Sequence, residues 1–82
     1  MLSKELLLSK GFELNTYPQG KYFEFVTTDT EVMEKILGED YMGDEESVIL
    51  QLKEDFSNKI LCEDTNIWDL TDEQFMDILE KL

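Results

Sequence analysis

The stretch SVILQLK sets Val48, Leu50 and Leu52 in alternation with Ile49, Gln51 and Lys53. A period of two marks an extended strand that buries one face and shows the other to solvent. Such a strand persists only in a sheet whose apolar face is covered. The rest of an 82-residue chain must therefore supply both the neighbouring strands and the cover.

Neighbouring strands are legible on both sides. NKILC follows across the turn EDFSN, giving one hairpin. Upstream, FELNTYPQGKYFEFVTT holds two extended runs around YPQG, where Pro18 presets a turn and Gly20 accepts the backbone angle turns often demand. In the second run Phe23, Phe25 and Thr27 point one way, and Tyr22, Glu24 and Val26 the other. The cover comes from three helical patterns. LSKELLLSKG has Ser3 as N-cap and Gly11 as its stop. DTEVMEKILG spaces Val32, Met33, Ile36 and Leu37 helically between a cap at Asp29 or Thr30 and Gly38. TDEQFMDILEKL opens on the capping-box pair Thr71 and Gln74 and carries Phe75, Ile78, Leu79 and Leu82 at i, i+3, i+4, i+7. The order predicts α-β-β-α-β-β-α: one α+β domain over residues 1–82, with a four-stranded, mainly antiparallel sheet and packed helices.

Charge is the second constraint. Twenty acids against seven lysines leave −13, and a domain this small buries only about 60% of its unfolded surface, so little margin exists for self-repulsion. The charge is polarised along the chain. Residues 1–30 hold three lysines and four acids, net −1, while residues 31–82 hold four lysines and sixteen acids, net −12. A polyanion is repelled by nucleic-acid phosphates and by anionic lipid, so neither is an expected direct partner. A basic protein is the natural complement. The opening MLSKELLLSK is broken by Lys4 and Glu5 and is not read as a secretory leader. With Cys62 as the only cysteine, a cytoplasmic setting is expected.

Catalytic chemistry has little to build on. Histidine and arginine are absent, which removes the commonest general base and the bidentate anion clamp. Cys62 lies beside Ile60 and Leu61 in a predicted strand, as a buried structural thiol would. DTNIWDLTDEQF fails as a calcium loop: Trp68 takes a ligand position, Asp69 replaces the glycine and Phe75 stands where the bidentate Glu belongs. No enzyme activity, cofactor or metal is expected.

Partner-binding candidates follow the charge. The connector LGEDYMGDEESV gathers Glu39, Asp40, Asp44, Glu45 and Glu46 without a base, around Tyr41 and Met42. Those two side chains either form an exposed anchor or tuck into the core, and Trp68 is ambiguous in the same way. On the last helix Glu73, Asp77 and Glu80 form a stripe opposite the apolar face, with Asp69 upstream and Glu63 and Asp64 before it. A polar face is ordinary on such a helix, but an ordinary one mixes lysine with acid, and here Lys81 is the only base after Lys59.

By size, acidity and compact α/β content the chain resembles small phage-encoded inhibitors that act as DNA mimics, namely anti-CRISPR proteins and the uracil-DNA glycosylase inhibitor. The resemblance implies a non-enzymatic inhibitor, encoded by a phage or mobile element, that fills the basic nucleic-acid site of a nuclease or CRISPR effector. It transfers no individual residue. Two alternatives stand beside it: an immunity or regulatory protein that caps a basic toxin or partner without mimicking DNA, and an acidic globular domain of structural or unknown role.

Overall fold

The computed structural model describes residues 1–82. It comprises α1 (Lys4–Ser9), β1 (Glu13–Tyr17), β2 (Gly20–Thr27), α2 (Thr30–Leu37), a 3-10 turn (Gly38–Asp40), β3 (Val48–Lys53), β4 (Ile60–Glu63), β5 (Asn66–Asp69) and α3 (Asp72–Lys81). The sheet is antiparallel throughout, and its strands lie side by side in chain order, β1 to β5. It therefore has five strands, where the sequence predicts four. The extra strand is β5. It follows β4 through the two residues Asp64 and Thr65, with Asp64 at φ +50°, a left-handed conformation that a short polar side chain tolerates. All four of its residues are exposed, so no apolar alternation announces it.

Directly opposed residues of an antiparallel pair share a face. One face carries Phe23 and Leu52, Phe25 and Leu50, Thr27 and Val48, then Leu61 opposite Leu50. Val48, Leu50 and Leu52 on it are wholly buried beneath helix residues Leu7, Met33, Ile36, Phe75, Ile78 and Leu79, which join them in one core. Phe12, just after α1, joins this core by packing its ring at a tilt against Phe25 and Phe75. Just before it Gly11 takes φ +97°, and a Cβ there would sit 3.3 Å from the Phe25 ring, so a side chain at Gly11 is both strained and crowded.

The helix ends form as the sequence specifies. Ser3 accepts from Leu6 N–H, Asp29 accepts from Glu31 and Val32 N–H, and Thr71 and Gln74 form the reciprocal capping box. The other sheet face has no helix over it. Across it run the rows Val26–Ile49–Cys62–Ile67 and Glu24–Gln51–Ile60–Asp69. Cys62 is thus half-buried on this open face and is not the core thiol its apolar neighbours suggest, because Leu61 and Glu63 are the residues of that strand whose side chains turn inward. No helix is long and apolar enough to cross a membrane.

Candidate functional site

A groove of about 300 Å³ opens where α2, α3 and the β4–β5 edge meet. Each wall has a local cause. The apolar stripe of α2 ends at Ile36 and Leu37, and Gly38 breaks the helix into the 3-10 turn that brings Asp40 to the rim. The capping box fixes where α3 starts, so that Gln74, Asp77, Ile78 and Lys81, which recur at helical spacing, form the second wall. Leu61, Trp68 and Leu70 form the third. The result is a trough of mixed lining: Ile36, Leu37, Leu61 and Ile78 close its floor and are nearly buried, Trp68 and Leu70 are its more accessible apolar groups, and Asp40, Asp77 and Lys81, its one base, border it. Trp68 remains 39% exposed, so its indole is available to an occupant. Asp69 borders the groove, but its register with Ile60 sets its side chain towards the open sheet face.

The residues expected to meet a partner separate into three groups. Asp40 and Asp77 stand at the groove, with Glu39 beside Asp40 and Glu73 one turn before Asp77, both exposed, while Asp69 borders it with its side chain turned to the open sheet face. Asp44, Glu46 and Asp64 are exposed at a second place, where Glu46 N–H donates to Asp64 Oδ1 at 3.2 Å and ties the connector to the β4–β5 turn. Glu45 and Glu63 are turned inward, 7% and 9% exposed, and serve the fold instead of offering surface. Glu45 closes a local turn by accepting from Met42 N–H and Gly43 N–H, each at 2.8 Å. The Met42 hydrogen bond leads in holding its carboxyl below the usual range; burial opposes this, and Gly43 and the neighbouring Glu63 carboxyl add to it. Glu63 in turn accepts from Asn66 Nδ2 at 3.0 Å. The connector is therefore a folded turn pinned by one of its own acids. Of its two apolar side chains, Tyr41 packs half-buried on the core and Met42 stands 77% exposed.

Because the meander keeps chain order, the charge gradient of the sequence becomes a gradient in space. The strands drawn from the near-neutral first 30 residues form one side of the sheet, and most later acids lie on α2, α3, the connector and the β4–β5 turn; Glu54 and Asp55 are the exception, beside Lys21 at the end of the first hairpin. At the N-terminus of α3 the acids have one basic counterpart, Lys59, whose Nζ lies 2.8 Å from Asp72 and also donates to the Phe56 carbonyl. No group of three or more His, Cys, Asp or Glu side chains is placed to hold a metal ion. Burial raises the Cys62 thiol, which disfavours the nucleophilic thiolate.

The apolar half of the groove escapes a reading by charge, since Ile36, Leu37, Leu61 and Ile78 all register first as core. The available signal is Ile78 beside Asp77, on the border between the two faces of α3. Compared with known protein families, curated proteins and solved structures, the chain matches none.

Proposed function

We propose that this chain is a non-enzymatic inhibitor of the DNA-mimic type, which docks on the basic nucleic-acid-binding surface of a partner such as a nuclease or CRISPR effector. The observation that carries the proposal is the joining of Asp40 and Asp77 to a trough lined by Ile36, Leu61, Ile78 and Trp68. Carboxylates steer and orient a cationic partner over long range, and a half-exposed indole beside aliphatic groups supplies the desolvated contact that holds it. Lysines or arginines that ordinarily meet phosphates then meet carboxylates, and nucleic acid is excluded by occupancy and by repulsion.

A second reading draws on the same trough. A phosphate backbone has no apolar counterpart, so the apolar floor also suits a protein that caps a basic partner away from its nucleic-acid site. Competition separates the two. Purified nucleases and CRISPR effectors are assayed for substrate binding and cleavage with the chain and with a D40N/D77N variant. Inhibition by the wild type, relieved by excess duplex and weakened at least about tenfold in the variant, supports mimicry. Complex formation that duplex does not displace supports capping. Unchanged nucleic-acid binding by every enzyme tested, or equal inhibition by D40N/D77N, overturns the proposal.

A further inference from the structure

We infer that the open face of the sheet is a self-association surface, through which two copies pack sheet against sheet and leave both grooves outward. This inference goes beyond the docking function and does not depend on it. Its basis is the row Val26–Ile49–Cys62–Ile67, directly opposed in register across four strands, with Val26 60% and Ile67 68% exposed at its two ends. Four strands set this row over about 14 Å of continuous apolar surface with no helix above it.

Charge selects the occupant. Of the twenty acids, the strands turn only Glu13, Glu24 and Asp69 outward on this face. Glu24 is held by donors of the face itself: Asn15 Nδ2 at 2.7 Å, Tyr17 Oη at 2.5 Å and Gln51 Nε2 at 2.8 Å. A cationic partner is drawn to the acid-rich helical side. A second copy, itself at −13, is repelled there and meets least repulsion across the open face. Area sets the strength. The five strands together hold 27 residues, which at about 3.4 Å rise and about 4.8 Å spacing give a face of about 440 Å² per copy, so about 900 Å² is buried in all, in the range of weak, transient association. The association is therefore weak and is favoured by salt, which screens the net repulsion. Two outward grooves would make the pair bivalent.

Sedimentation equilibrium of the full chain tests this, from about 10 μM to about 1 mM protein, in about 0.15 M and about 1 M sodium chloride. The weight-average mass is expected to climb from 9.7 kDa towards twice that value, further at the higher salt. A V26K/I67K variant is expected to stay at the monomer mass with an unchanged circular dichroism spectrum, since both side chains are exposed. Added lysines lower the net charge and so favour association in general, which makes a loss of dimer specific to this face. The control M42K, exposed on the connector, is expected to dimerise like the wild type. A wild type that remains monomeric at about 1 mM in about 1 M salt overturns the inference. So does a V26K/I67K variant that associates normally, or an M42K variant that fails to associate.

Discussion

Raising sodium chloride from about 0.15 M to about 1 M is expected to stabilise the folded chain by about 2–3 kcal/mol. The magnitude follows from the size and charge of the molecule. A radius of gyration of 12.1 Å corresponds to a sphere of about 16 Å radius. Spreading −13 over that sphere in water costs about 22 kcal/mol unscreened, about 8 at a Debye length of about 8 Å and about 4 at about 3 Å. The unfolded chain, with a radius of gyration of about 28 Å, carries the same charge for about 2 and about 1 kcal/mol under the two conditions. Folding therefore works against about 6 kcal/mol of repulsion at the lower salt and about 3 at the higher. Screening also weakens attractive contacts such as Lys59 with Asp72, which trims the gain. For a domain of this size, the expected rise in Tm is about 10–20 °C. Thermal melts by far-ultraviolet circular dichroism measure it, in chloride rather than sulfate, because sulfate stabilises proteins by exclusion from their surface whatever their charge. A Tm that stays level or falls across this range would refute the reasoning, since the carboxylates would then be compensated locally.

Two further outcomes follow from particular side chains. Burial alone would raise the Glu24 carboxyl, but its hydrogen bonds from Tyr17, Asn15 and Gln51 outweigh burial and lower it. A depressed folded pKa contributes stability that is present above the unfolded value, about 4.3, and lost as pH falls through the folded one. The stability difference between wild type and Glu24→Gln, from urea melts at pH 2 to 7, should therefore be constant near neutrality and shift against the wild type in acid; a flat difference refutes the network. Trp68→Ala removes a side chain about three-fifths buried, worth about 2–3 kcal/mol at about 25 cal/mol per Å². Urea melts measure that loss, and a cost below about 0.5 kcal/mol would show that the indole contributes nothing to the groove wall.

What could be read from residues alone divides along a physical line. Elements that bury one face announce themselves, because burial forces a period: β3 through Val48, Leu50 and Leu52, and α3 through Phe75, Ile78 and Leu79. Caps announce themselves because few side chains can satisfy an orphan N–H, so Ser3, Asp29 and Thr71 are where their chemistry demands. β5 fully buries no residue, Trp68 alone being partly covered, and has only a two-residue turn before it, so neither signal operates. The acids show the same limit in another form. Their number and sign are visible in the chain, but which of them face solvent depends on backbone donors that exist only after folding. Glu45 lies amid the densest acid run and is nonetheless withdrawn by two N–H groups of its own turn. Asp40 and Asp77 are 37 positions apart and meet only because α2 and α3 pack side by side above the β4–β5 edge. Composition thus fixes what the surface must repel, while the groove, which determines what it can hold, belongs to tertiary structure.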